Sequence, residues 1–196
     1  MIPILILAAG RSSRMRGRDK LLEDLGGESL IRRQARHALA LGGRVFVAVG
    51  PDQDEREEAL AGLDVHILQV PDAVEGMSGT LRGAVAQLPP WTAFMLVLGD
   101  LVALEPEDLA QVCAAHVGQP DHLIWRGATE DGKAGHPIIF ADALRSAFAE
   151  LSGDGGAQVI VAGHQDRTCL VALPGTRARL DLDTPEDWDE WRAVKG

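Results

Sequence analysis

Tyrosine is absent from this 196-residue chain, and aromatic residues make up only 4% of it. All-β sandwiches lean on aromatic and β-branched side chains, so a chain rich instead in Ala, Val, Leu and Gly points to an α/β domain. There are only two cysteines, and their separation excludes a zinc ribbon or a disulfide framework. Cys113 falls in a helical pattern and Cys169 in an apolar, strand-like run, so both read as reduced, buried thiols of a cytoplasmic protein. No apolar run approaches the roughly 20 residues that span a bilayer. The apolar opening, residues 1–9, has no basic segment before it and reads as a core strand rather than a leader. Basic charge is also scarce: 19 Lys and Arg against 29 Asp and Glu leave a net charge of −10. That balance argues against a nucleic-acid partner and against an anionic membrane surface.

What is present is alternation. Short apolar runs at 2–7, 45–49, 65–68, 93–98, 122–125, 137–140 and 168–173 read as strands, most of them apolar on both faces as in a buried parallel sheet. Between them, 30–41, 53–61, 81–88, 106–116, 141–151, 156–162 and 185–194 carry helical patterns, with 53–61 charged and expected to be exposed. Pro106 and Pro185, each flanked by acidic residues, mark helix starts. Trp188 and Trp191 share one helix face and read as packing. Strand–helix alternation predicts one sheet with helices on both faces, a three-layer αβα arrangement. No linker or repeat is evident, so residues 1–196 read as a single domain.

The segment after the first strand carries the most chemistry. Five of the 19 Lys and Arg residues fall between positions 11 and 20, opposed only by Asp19. Ala8, Ala9 and Gly10 are small enough for a ligand to approach the backbone closely. An acidic chain thus concentrates positive charge at the carboxyl end of a strand, where open α/β sheets bind ligands. Backbone N–H groups with Arg and Lys suit a polyphosphate. Neither G-x-x-x-x-G-K-[ST] nor G-x-G-x-x-G occurs here, which excludes an ordinary P-loop kinase or Rossmann dehydrogenase.

Leu7-Ala8-Ala9-Gly10 followed by Ser12, Arg14-Met15 and Lys20-Leu21-Leu22 resembles the signature loop of nucleotidyltransferases with the glycosyltransferase-A-like, nucleotide-diphospho-sugar transferase fold. Gly76-Met77-Ser78-Gly79-Thr80-Leu81-Arg82-Gly83, Leu98-Gly99-Asp100, Gly135-His136-Pro137, Gly153-Asp154-Gly155-Gly156-Ala157 and Asp181-Leu182-Asp183-Thr184-Pro185-Glu186-Asp187 follow in the order of the molybdenum-cofactor branch. The resemblance runs from residue 4 to 188 and implies a Rossmann-like, mostly parallel sheet. Leu-Ala-Ala-Gly in the first loop is similar to the cytidylyl type, whereas guanylyl members usually read L-A-G-G.

The resemblance implies transfer of a nucleoside monophosphate, with CTP as donor and a molybdopterin-type acceptor, and a molybdoenzyme as a possible client for the product. Arg14 and Lys20 are then the phosphate clamp, with Arg11, Arg16 and Arg18 as rim charges. Asp100 and Asp183 hold Mg2+, and Asp181 assists if its stretch is extended. Arg14, Lys20 and Asp100 carry the catalysis. Leu7, Ala8, Ala9, Gly10, Ser78 and Thr80 border the nucleotide, Gly76 and Gly79 permit its close approach, and His136 faces the acceptor. Local structure competes at several of these positions: Ser78 could cap a helix starting near Thr80, Asp154 the helix after it, and Asp183 the last helix. Leu101 and Val102 depart from the proline that the family usually has soon after the Gly-Asp pair. A guanylyl or other nucleotidyltransferase with a different phosphorylated acceptor is the alternative within the family, and two readings outside it stay open. One is a glycosyltransferase using Asp181-Leu182-Asp183 as a D-x-D metal site. The other is a non-catalytic nucleotide-binding accessory protein for cofactor assembly.

Overall fold

A strand covered on both faces must present apolar side chains at every position, and successive side chains then enter different cores. Ile4 and Ile6 join one buried cluster, while Leu5 and Leu7 join another on the opposite face. The computed structural model describes residues 1–195. In chain order it contains β1 (Ile4–Leu7), α1 (Leu30–Leu39), β2 (Val45–Val49), α2 (Asp54–Ala59), β3 (Val65–Gln69), α3 (Met77–Gln87) and β4 (Ala93–Leu98). There follow α4 (Pro106–Gly118), β5 (Ile124–Ala128), β6 (Ala134–Ala141), α5 (Arg145–Ala149), α6 (Gln158–Ala162), β7 (Thr168–Ala172) and α7 (Pro185–Lys195). One sheet holds all seven strands in the order β3-β2-β1-β4-β6-β5-β7. Side chains of α1, α4 and α7 (Leu30, Ile31, Leu109, Val112, Trp188) pack on one face. Those of α3, α5 and α6 (Leu81, Val85, Phe148, Ile160) pack on the other.

Each strand expected from the sequence forms, and the sheet is mostly parallel. β6 is the exception, running antiparallel to both β4 and β5. The connection from β5 to β6 is too short for a crossover helix, and parallel pairing needs one. Thr129 N–H instead donates to Lys133 O and Gly132 N–H to Thr129 O, closing a hairpin.

Several helix expectations need correction. The predicted helix over 141–151 is a 3-10 turn, Asp142–Leu144, followed by the short α5. The helix expected over 156–162 begins only at Gln158, with Ala157 at its N-cap, so Asp154 is not its cap. The helix expected over 81–88 begins at Met77, and Gly76 occupies its N-cap with φ 101°. Ser78 therefore lies inside the first turn and caps nothing.

Gly79 serves packing rather than ligand approach. A Cβ there would lie 2.1 Å from the carbonyl oxygen of Asp72, in the turn that α3 crosses. Gly79→Ala is expected to push these segments apart and lower stability by about 2 kcal/mol, the usual scale of overpacking. Urea denaturation measures this, and an unchanged midpoint would mean the turn can yield.

Candidate active site

Ligands of open α/β sheets bind at the carboxyl ends of the strands. At that end of β1 and β4 lies a cleft of about 390 Å3, lined by Leu7, Ala9, Gly10, Lys20, Thr80 and Asp100 among others. Gly76 and Asp154 form its far wall. A larger, more apolar groove of about 570 Å3 runs beside Ile2, Leu41 and Cys113 at the other end of the sheet. Lys20 and Asp100 meet in the first cleft.

The glycine-rich loop leaves β1 at Leu7 and is held from below. Met15 is fully buried and anchors a 3-10 turn over Ser13–Met15. Asp19 accepts from Ser12 Oγ (3.1 Å) and Leu21 N–H (3.0 Å). Arg56 of α2, only 2% exposed, reaches under the loop. It pairs with Asp19 through Nε (2.6 Å) and Nη2 (2.9 Å) and donates to Gly10 O (2.7 Å) and to Ala8 O. Gln53 adds a bond from Nε2 to Ala9 O (3.2 Å). Helix α2 was expected to be exposed, and nothing in its acidic sequence marks Arg56 as buried. Its role is decided by the loop folding over it.

Asp100 arrives from β4. Gly99 N–H donates to Leu7 O (2.9 Å), and a Cβ at Gly99 would come within 2.9 Å of that same oxygen. Glycine lets the β4 turn press against the loop. Leu101 and Val102, nearly fully buried, then tie this turn to the C-terminal segment. Leu101 forms an antiparallel bridge with Asp181, and Val102 N–H donates to Leu180 O (3.2 Å). Where the family usually has a proline, Leu101 and Val102 thus join the Asp100 and Asp183 segments through backbone contacts.

Lys20 Nζ lies 2.6 Å from Asp100 Oδ2 and 2.8 Å from Asp183 Oδ1. Arg14 Nη1 lies 2.6 Å from Asp183 Oδ2. Burial pulls the Lys20 ammonium down, but Asp100 and Asp183 outweigh it and the net shift is upward, so Lys20 stays charged. Asp183 does not cap α7. Thr184 Oγ1 accepts from Asp187 N–H (3.2 Å), and Asp187 Oδ2 accepts from Thr184 N–H (2.8 Å) in return. The Asp183 carboxylate is left to the two cations. Burial, then Asp183 and Asp100, push the Asp181 carboxyl up, as expected for a third acid close to the other two.

The remaining sequence-predicted residues divide. Thr80 lines the cleft, while its hydroxyl donates to Gly76 O (3.0 Å). Ser78 is buried away from the cleft: its hydroxyl donates to Ser152 O (3.3 Å) and accepts from Gly156 N–H (3.2 Å), fixing the 152–156 loop. Ala8 is in the core, its carbonyl taken by Arg56. Arg11 borders the cleft. Arg16 and Arg18 pair outward with Glu186 and Glu23. His136 lies one strand over from the cleft wall, on β6. Asp154, expected as a cap, faces the cleft.

A divalent cation fits this donor set. Asp100 Oδ1 is buried without a hydrogen-bond partner. Two carboxylates already share one cation, the Lys20 ammonium. Among the described residues no three His, Cys, Asp or Glu side chains gather into a closed metal cage. Magnesium and similar hard ions use one or two carboxylates and complete their shell with water and substrate phosphate.

Residues 4–168 match the model of the MobA-like NTP transferase domain. The chain is 28% identical to a probable molybdenum cofactor guanylyltransferase of Natronomonas pharaonis, over 96% of this chain and 95% of that one. It is 27% identical to the bifunctional protein GlmU of Stutzerimonas stutzeri, over 90% of this chain but only 38% of GlmU. The crystal structure of Rv0371c from Mycobacterium tuberculosis superposes with a TM-score of 0.83 at 28% identity, covering 100% of this chain and 98% of that one. A second Rv0371c structure, a complex with manganese, superposes at 0.80 with 26% identity over 96% of each chain. With that match extending over most of its length and its fold shared with Rv0371c, the chain belongs to the MobA-like NTP transferase domain family and is a nucleotidyltransferase of that kind.

Proposed function

We propose that residues 1–196 form one catalytic unit that moves CMP from CTP onto a phosphorylated acceptor of the molybdopterin type, in the cytoplasm, and hands the product to a molybdoenzyme. The observation that carries this reading is Lys20 held between Asp100 and Asp183 beside a glycine-rich loop. An acceptor phosphate oxygen attacks the α-phosphorus, the bond to the bridging oxygen breaks, and pyrophosphate leaves with the electron pair. A divalent cation, Mg2+ by preference, on Asp100 and Asp183 supplies neutralisation of the triphosphate charge. Lys20 acts as a point charge on the phosphates and Arg14 as a planar fork. Leu7, Ala9, Gly10 and Thr80 bound the space for base and ribose, while Ala8 is packed in the core beneath the loop and Ser78 fixes the 152–156 loop. No covalent nucleophile is needed, because positioning and charge stabilisation suffice for this class of step.

Ala9 supports the cytidylyl reading, since its methyl group narrows the loop where guanylyl members have glycine. A guanylyl reading is supported by the Natronomonas pharaonis relative. A thermal-shift panel of CTP, GTP, ATP and UTP, with and without Mg2+, separates them. The cognate nucleotide at 100 times its Kd stabilises by about 2.7 kcal/mol. A shift with GTP alone moves the donor to the guanylyl type, and no shift with any triphosphate overturns the proposal. Tight binding without pyrophosphate release on any phosphorylated acceptor favours an accessory protein. In the same assay, Lys20→Ala is expected to weaken CTP about tenfold or more while leaving cytidine unchanged, as loss of a charge-assisted contact requires. Equal losses for both ligands would remove Lys20 from the clamp.

A further inference from the structure

Two arginines are buried in this protein, Arg56 and Arg126. Asp19 neutralises the first. Arg126 has no such partner among the described residues. It is 8% exposed on β5, and its Nε donates to Gly135 O (3.1 Å). Its two terminal nitrogens bond to no described residue, yet neither is sealed from solvent. Burial, then the charge of Arg179, pulls the guanidinium below its ordinary range, and no carboxylate opposes them. An uncompensated buried cation is costly to a fold.

A second arginine and a neutral histidine lie close to Arg126, while Glu130 and Asp131 border the pocket that Arg179 lines. Arg179 stands beside Arg126 and donates from Nη1 to Ala134 O (2.8 Å). His136 is pushed down to about 4 by burial and then by Arg126, so it is neutral at neutral pH, and its Nδ1 is buried without a partner. The cluster lies on β6 and β5, which follow β4 in the sheet order, and β4 carries the cleft at its carboxyl end. Arg126 pairs with Ile138 and Ile138 with Leu96 in register, so Arg126, Leu96 and Leu98 share one face of the sheet by strand alternation, and the charge of Arg126 is felt at His136. Leu98 lines the cleft, and the charge of Asp100 is felt at His136.

We propose that Arg126, flanked by Arg179, binds the phosphate monoester of the acceptor and presents it beside Asp100. The inference rests on the transfer reaction proposed above and gives the acceptor a cation distinct from the Arg14 and Lys20 clamp. Leaving pyrophosphate shares the same chemistry, and the two sources separate by experiment. Phenyl phosphate serves as probe, titrated calorimetrically into the protein with the triphosphate site filled by CTP and Mg2+, and again into the free protein. Wild type is expected to bind it saturably in both. Arg126→Met weakens it by about tenfold or more, on the scale of a charge-assisted pair, and Arg126→Lys keeps part of the affinity. CTP affinity stays within about twofold in both variants. Arg126→Met is also expected to fold at least as stably as wild type, since it removes an unpaired buried charge. Equal phenyl phosphate affinity in wild type and Arg126→Met overturns the proposal, as does absence of saturable binding to wild type. A parallel loss of CTP affinity overturns it too, by assigning Arg126 to the triphosphate. Should wild type bind no nucleoside triphosphate, the transfer reading falls, while the titration of free protein still decides Arg126.

Discussion

Asp100→Asn is expected to lower pyrophosphate release by about three orders of magnitude while leaving the fold intact. The size follows from removing a preorganised charge at a site of developing negative charge, which costs roughly 10²–10³-fold or more. The change keeps the shape of the side chain, so the Gly99 contact with Leu7 and the Leu101 bridge to Asp181 persist. Lys20 also keeps Asp183 at 2.8 Å. What disappears is one of two carboxylates that hold a cation, including the buried Oδ1 that has no other partner. Pyrophosphate release, the Mg2+ dependence of the nucleotide thermal shift and the urea midpoint together test it. A wild-type rate would remove Asp100 from the chemistry. A collapsed midpoint would make it a structural residue instead.

Arg56→Met should destabilise the protein by about 3 kcal/mol and weaken nucleotide binding as well. One guanidinium here satisfies the carbonyls of Ala8 and Gly10 and the Asp19 carboxylate. Removing it leaves a partly buried acid and two carbonyls short of donors, and breaking a buried pair from one side costs about 3–5 kcal/mol. Asp19 keeps some access to water, which places the value at the low end. Against a total stability of about 5–15 kcal/mol this is a large share. Arg56→Lys keeps the charge but cannot span three acceptors, so it should recover only part of the loss. Urea denaturation and nucleotide calorimetry measure both effects. Unchanged stability with unchanged affinity would show that the loop holds itself.

Strands and their two-faced burial were legible because they depend on local alternation. Ile4 to Leu7 shows it: each side chain is apolar, and each finds a core. The hairpin at 129–133 was less legible, since two apolar runs look alike whether the next strand returns parallel or antiparallel. Ser78 illustrates a different failure. A hydroxyl before a helical pattern reads as a cap, but Gly76 with its positive φ starts the helix earlier and sends Ser78 into the 152–156 loop. Asp183 went the other way. An aspartate before Thr-Pro can cap or bind a cation, and the Thr184–Asp187 exchange at the helix start leaves its carboxylate available.

The alternation of strands and helices, the charge concentrated in the first loop and the family signatures are properties of neighbouring residues and are written in local order along the chain. Tertiary structure alone decided which charges meet. Lys20 and Asp183 are 163 positions apart and touch only because the Asp181 segment is stitched to the turn after β4. Arg56 lies under a loop that ends 36 or more residues before it, and Arg126 is unpaired only because the strands around it bring no acid within reach. Such pairings depend on distances set by the packed sheet, which no local periodicity encodes.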